Sequence, residues 1–380
     1  MLEYITLKHH PIGGQFRELS ARFPLAGAEI YCADLVDRET DLYQTPEELQ
    51  ALAETLKAQG VCRLHASYWA SPAAFLCGAD DVESLFDGKA GVAEYYSDLT
   101  GHHLYRRWCQ EYALACAIGA QAYTFHLIDY FPIDGLWRFN ISRETVVSAM
   151  TAMTAKLLKD LTQQGLLTAD SPRIELENAG WGLEYGVQTA EDFAALFRQV
   201  EDPLGKLCVA WDTNHLLHAI GLRDGQGAFF LPEEEITPAM AALQTEYGAA
   251  PAAFAVQWVK RNLLAEELAG KVACVQLSDC ALKEHQFFTQ GWLEYPWRSH
   301  LEACADRSEM EHLGEQLVLT HYDSHLPLGQ GILPGGQVWE MLCRLAEQRP
   351  DFVLLHELKN SADLAADLAL QRSSLKQGGL

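Results

Sequence analysis

The chain contains no run of about 18 or more apolar residues, so no segment reads as a transmembrane helix. Its start, Met1-Leu2-Glu3-Tyr4, has neither the basic nor the apolar segment of a secretion signal, and a cytoplasmic location is therefore expected. Bases are scarce: 28 Lys and Arg stand against 52 Asp and Glu, a formal net charge of −24. That balance repels a phosphate backbone and works against a nucleic-acid partner. The ten cysteines form no C-x-x-C pair and no zinc-finger spacing, so they read as reduced core residues of a large domain. There is no Gly-x-Ser-x-Gly elbow and no Walker sequence; Gly221 to Gly227 lacks the glycine spacing of a dinucleotide site and reads as a loop. Low-complexity tracts, heptads and 20–50-residue repeats are also missing, which excludes coiled coils and solenoids.

What is present is a regular alternation of short β-branched or aromatic runs with amphipathic stretches, the pattern of β/α units. Eight strands are expected, at 3–7, 28–33, 61–65, 121–126, 173–177, 207–211, 272–277 and 353–357. Eight such units define an α/β chain folded as a (β/α)8 barrel, here one domain over 1–380. Helix signals agree: Thr45-Pro46-Glu47-Glu48 is a capping box with proline in the first turn, and Gly60 stops that helix. Ser142, Thr189 and Ser361 are expected to start three more, the first carrying Val146, Met150, Met153, Leu157 and Leu161 as a core stripe. The connections 66–120, 217–271 and 278–352 exceed simple barrel loops and are expected as insertions on the carboxyl-end face. One holds Phe287, Phe288, Trp292, Tyr295 and Trp297, suited to covering a ligand or to forming a second small core.

Metal-ligand residue types fall at the strand ends. His65, His126, Glu177, Asp212, Gln276 and Glu357 occupy the last positions of six successive strands or the residue just beyond. In a barrel these positions converge on one mouth, where crowded carboxylates and imidazoles need a cation to offset their charge and desolvation. His9-His10 after the first strand, and His102-His103 with Arg106-Arg107, read instead as solvated surface.

Taken in order, Leu64-His65-Ala66-Ser67-Tyr68, Phe125-His126, Leu176-Glu177-Asn178-Ala179-Gly180, Asp212-Thr213-Asn214-His215, Asp323-Ser324-His325 with Gly329-Gln330-Gly331, and His356-Glu357 resemble the xylose-isomerase-like superfamily, which includes the family-2 AP endonucleases. The resemblance runs from the third strand to the eighth. For a sugar isomerase or epimerase it implies one cation held by Glu177, Asp212, Gln276 and Glu357, with Gln276 standing where histidine is usual. An amide oxygen there makes the set oxygen-rich, which favours Mn²⁺, Mg²⁺ or Co²⁺. Likeness to endonuclease IV implies instead several zinc ions, one held by His65, His126 and Glu177, another by His215, Asp323 and His325. The plain alternative for Asp323-x-His325 is a hydrogen-bonded loop anchor.

The first expectation is a metal-dependent isomerase or epimerase acting on a small carbohydrate or sugar phosphate. Glu177 and Glu357 would be its acid and base, and His126 and His215 would bind substrate hydroxyls. The second is an endonuclease IV-like polynuclear phosphodiesterase or hydrolase. The third is a metabolite-binding barrel that has lost catalysis through Gln276. No membrane partner is expected, and the long connections offer surface for contacts within a homo-oligomer.

Overall fold

The computed structural model describes residues 1–8, 10–37, 40–67, 89–90, 99–126, 131–133, 136–138, 143–178, 187–223, 228–230, 237–280, 325–358 and 361–376. Eight strands close into one barrel: β1 Leu2–Leu7, β2 Leu25–Tyr31, β3 Val61–His65, β4 Ala122–His126, β5 Arg173–Glu177, β6 Leu207–Asp212, β7 Val272–Leu277 and β8 Val353–His356. Each pairs in parallel with its sequence neighbours, and β8 closes on β1 with Leu2 opposite Val353. All eight expected strands are found. The ends shift by a few residues, most at β2, which starts at Leu25.

The helices α1 Gly13–Arg22, α2 Pro46–Ala58, α3 His102–Ile118, α4 Arg143–Gln163, α5 Ala190–Gln199, α6 Thr213–His218, α7 Pro238–Tyr247, α8 Pro251–Leu263, α9 Gly335–Gln348 and α10 Leu364–Lys376 follow the strands in order. The capping box of Thr45 and Glu48 starts α2, and Thr189 with Asp192 forms another at α5. Gly60 takes the left-handed conformation, φ 88°, where a Cβ would meet the Phe16 ring at 2.3 Å. The α4 stripe Met150, Met153, Leu157 and Leu161 is buried as expected; Ser142 lies outside the described residues. Ser361 does not cap α10. The Asp363 carboxylate accepts from Ala366 N at 3.0 Å, so the helix begins later.

The long connections are partly ordinary barrel structure, since α3 occupies the end of 66–120 and α9 the end of 278–352. Within 217–271 lie α7, α8 and a short antiparallel hairpin pairing Gly221–Arg223 with Ala228–Phe230. The expected Gly221–Gly227 loop is therefore in part a strand. The aromatic stretch Phe287 to Trp297 lies outside the described residues. Arg107 corrects the surface reading of its tetrad: it is fully buried, paired with Glu111, and donates to the carbonyls of Asp37, Thr40 and Cys32, whereas Arg106 remains exposed beside Asp41. Among the described residues no helix is long and apolar enough to cross a membrane. The eight described cysteines are free thiols.

The main core lies between barrel and helices, with a separate apolar cluster of Tyr4, Ala210, Cys274, Val353 and Leu355. On the strands from β2 to β5 runs a charged layer in which Arg63 pairs with Glu29 at 3.1 Å and Glu175 at 2.5 Å. Side chains alternate along a strand with a period of two. Two residues beyond Glu29, Arg63, Thr124, Glu175, Ala210, Cys274 and Leu355 stand Tyr31, His65, His126, Glu177, Asp212, Gln276 and Glu357, which form the next layer up, at the mouth.

Candidate metal centre

Glu177, at the end of β5, is the hub. His65 Nε2 lies 2.9 Å from its Oε2, and His126 Nε2 lies 3.0 Å from its Oε1. His215 Nδ1 lies 3.2 Å from Oε1, and Gln276 Nε2 donates to Oε2 at 3.1 Å. Three groups, His65/His126/Glu177, Glu177/Asp212/Glu357 and Asp212/His215/His325, each bring their ligand atoms within 4.8 Å of one another. All these residues are buried.

Local chemistry explains the placement. The Asp212 Oδ1 caps α6, accepting from Asn214 N at 2.7 Å and His215 N at 3.2 Å, which puts His215 on the first turn beside it. Asn178, next after Glu177, accepts from Asp212 N at 2.7 Å and donates to Asp212 O at 3.1 Å, clamping the ends of β5 and β6 together. Thr213 Oγ1 donates to Ser278 O at 2.6 Å and ties in the end of β7.

His325 enters on a loop rather than a strand, in the left-handed conformation with φ 45°. The loop is anchored by Asp279, just past β7. Its carboxylate accepts from Cys280 N at 2.8 Å, Ile332 N at 3.0 Å and Leu333 N at 3.0 Å, and its backbone bridges to Leu326. The loop passes so close that a Cβ on Gly331 would stand 2.2 Å from Asp279 Cγ, which explains glycine there. Asp323 lies outside the described residues. Asp279 thus holds the loop that carries His325, and the His325 ring joins the mouth, 6.1 Å from that of His215 between centroids.

The imidazoles are oriented by the backbone. Nδ1 of His65 contacts Ala66 O at 3.1 Å, Nδ1 of His215 contacts Asn178 O at 3.0 Å, and Nδ1 of His325 contacts Glu357 O at 3.1 Å. A carbonyl can only accept, so each Nδ1 carries a proton and Nε2 is the ring nitrogen left facing the mouth; the Ser278 hydroxyl stands 2.9 Å from the same Nδ1 of His325. For His65 that nitrogen faces a Glu177 carboxylate oxygen at 2.9 Å; burial works against charge on the ring, yet the hydrogen bond and charge of Glu177 raise its pKa. The electrostatics record this tension. Burial works against a charged Glu177, yet the His126 charge and the hydrogen bonds of His126, His215 and His65 hold its carboxyl well below the usual range. Burial lowers His126 to about 4, and burial also pushes Asp212 up to about 7, with Glu357 adding to the rise and His215 opposing it.

Gln276 Oε1 and Asp212 Oδ2 are buried and accept no hydrogen bond among the described residues. Buried acceptors left so are costly, and together with the imidazole lone pairs they are a donor set that fits divalent cations. The structure thus brings together His65, His126, Glu177, Asp212, His215, Gln276, His325 and Glu357. Sequence reasoning missed Tyr31, whose hydroxyl donates to Glu357 Oε1, and the supports Asn178, Ser278 and Asp279. Asn178 did leave a signal, as part of the Leu176–Gly180 motif, whereas Tyr31 fell inside a strand expected to run on to residue 33.

The class of protein is set by this geometry: a closed parallel (β/α)8 barrel with its polar residues gathered at the carboxyl ends of the strands. Among solved structures the chain is similar to a D-tagatose 3-epimerase-like protein, at 14% identity and TM-score 0.53 over 100% of this chain and 98% of that one. It is similar to endonuclease IV from Thermus thermophilus, at 16% identity and TM-score 0.52 over 99% and 100% of the two chains. An L-ribulose 3-epimerase is 11% identical with TM-score 0.50, over 100% and 94%. At these identities the likeness shows the shared fold, in agreement with the resemblance read from the strand ends. No protein-family model matches the sequence, and no curated protein matches it significantly.

Proposed function

We propose that the chain is a divalent-metal-dependent hydrolase with more than one cation at the barrel mouth, acting on a small anionic ester such as a phosphodiester. The observation that supports this is the orientation of His65, His215 and His325, each with Nδ1 committed to a backbone carbonyl and Nε2 left for the mouth. Imidazoles held this way, second nitrogen tied to the protein, are the usual form of histidine ligands. His65, His126 and Glu177 would hold one cation, Asp212, His215 and His325 a second, and Glu177, Asp212, Gln276 and Glu357 one between. Divalent ions there would acidify water near neutral pH and shield charge developing on a departing oxygen. Glu177 holds its place through four neighbours, Asn178 keeps β5 and β6 in register, and Tyr31 keeps one oxygen of Glu357 engaged. The net charge of −24 favours a small substrate over a duplex.

The second reading is the sugar or sugar-phosphate isomerase or epimerase, which the central group of Glu177, Asp212 and Glu357 with Gln276 supports. It asks Glu177 to carry a proton, while three imidazole nitrogens, of His65, His126 and His215, stand within 3.2 Å of its carboxylate and engage both oxygens. Protein loaded with Zn²⁺ and Mn²⁺ is to be tested on bis(p-nitrophenyl) phosphate, on an abasic-site oligonucleotide, and on ketoses and their phosphates in D₂O. Ester cleavage that a chelator abolishes, without exchange of carbon-bound hydrogen, is the expected result. Exchange without cleavage, lost in both Glu177→Gln and Glu357→Gln, would replace the hydrolase with the isomerase.

A further inference from the structure

The three ligand groups differ in donor chemistry, and the difference turns on one residue. The groups His65/His126/Glu177 and Asp212/His215/His325 each offer two imidazoles and one carboxylate; the group between them, Glu177/Asp212/Glu357, offers carboxylates alone. Gln276 belongs with this middle group. It stands opposite Asp212 in the β6–β7 register and opposite Leu355, two residues before Glu357, in the β7–β8 register. Its amide is fully buried, and because Nε2 donates to Glu177 Oε2 at 3.1 Å, Oε1 is the atom left to serve as a ligand. That oxygen accepts no hydrogen bond among the described residues, nor does Asp212 Oδ2.

We propose that the centre is heterometallic: Gln276 makes the middle position an all-oxygen site that selects Mn²⁺, while the two imidazole-bearing positions beside it take Zn²⁺. The proposal rests on the metal reading of the mouth given above. Its physical basis is donor hardness, since carboxylate and amide oxygens suit hard ions such as Mn²⁺ and Mg²⁺, whereas imidazole nitrogen suits Zn²⁺. Zn²⁺ binds most protein sites more tightly than Mn²⁺, so the selection shows when zinc is limiting and the positions compete for it. Replacing the middle oxygen by a nitrogen ligand removes the distinction among the three.

The test strips the full chain with a chelator and restores two equivalents of Zn²⁺ in the presence of excess Mn²⁺. Metal analysis after desalting should return two zinc and one manganese per chain, with the manganese seen by electron paramagnetic resonance and placed between the zinc ions by anomalous scattering at the two edges. In Gln276→His, zinc should displace the manganese at a concentration lower by roughly tenfold or more, the scale on which a changed partner alters a metal site. Gln276→Glu, which keeps an oxygen ligand, should retain manganese, and it carries the comparison if Gln276→His does not fold. Wild-type protein that fills all positions with one metal or releases manganese, or a Gln276→His protein with unchanged preference, overturns the heterometallic assignment and leaves the hydrolase standing. A chain that binds no metal overturns both.

Discussion

Two charged layers lie on the same barrel strands, two residues apart, and they reach neutrality differently. In the lower layer Glu29 and Glu175 meet Arg63, and Arg173 adds a second guanidinium 3.1 Å from Glu175. Burial disfavours charge on Glu175, but Arg63 and Arg173 outweigh it and hold its carboxyl below the usual range. In the upper layer, among the described residues, every ion pair of Glu177 and Asp212 is with an imidazole. A guanidinium is a permanent cation and an imidazole is not. The lower carboxylates thus have permanent counter-charges in the fold, although burial still raises Glu29 and leaves its Oε1 without a hydrogen bond, whereas the ion pairs of Glu177 and Asp212 depend on groups that can lose their charge.

The largest test of this contrast removes the permanent cation. Arg63→Met should destabilise the protein by about 3–5 kcal/mol in urea denaturation, because it strands the buried Glu29 carboxylate and leaves Glu175 with Arg173 alone, while leaving the metal content unchanged. A cost below about 1 kcal/mol, the range of an exposed pair, would break the comparison. Chelation is next. Removing ions present at a hundredfold over their Kd should lower stability by about 2.7 kcal/mol per site, visible as a fall in Tm that Arg63→Met does not abolish.

Gly331→Ala sharpens the contrast from the loop side. Its Cβ would sit 2.2 Å from Asp279 Cγ, so the anchor carrying His325 must move, at about 1–3 kcal/mol and with loss of one metal equivalent by elemental analysis. Tyr31→Phe removes the hydroxyl donated to Glu357 and should cost about 0.5–1.5 kcal/mol, with weaker metal binding by calorimetry. The smallest effect is on acid stability. Glu175 has a folded pKa below its unfolded value, so its contribution is fully present above the unfolded value of 4.5 and is lost as pH falls through the folded one. Arg173→Met should raise the pH of acid unfolding, and an unchanged midpoint would remove Arg173 from the lower layer's balance.

Sequence alone determined the eight strands, the capping box at Thr45, the helix start at Thr189, and the identity of the residues at the strand ends from His65 to Glu357. These are properties of neighbours along the chain: a period of two that carries Arg63 to His65 and Glu175 to Glu177, and caps spanning three residues. Tertiary structure decided the rest. Arg107 sits in a sequence that reads as exposed, and its burial comes with bonds to the carbonyls of Cys32, Asp37 and Thr40, far away along the chain. Asp279 and Gly331 meet because a loop returns across the end of β7, and Tyr31 meets Glu357 because β8 closes the barrel near β1. Which nitrogen His65, His215 and His325 offer was likewise settled in space, by the backbone carbonyl the fold placed against each Nδ1. Periodicity and capping act within a few residues and so can be read locally, whereas a hydrogen bond joining distant segments exists only after the chain has closed.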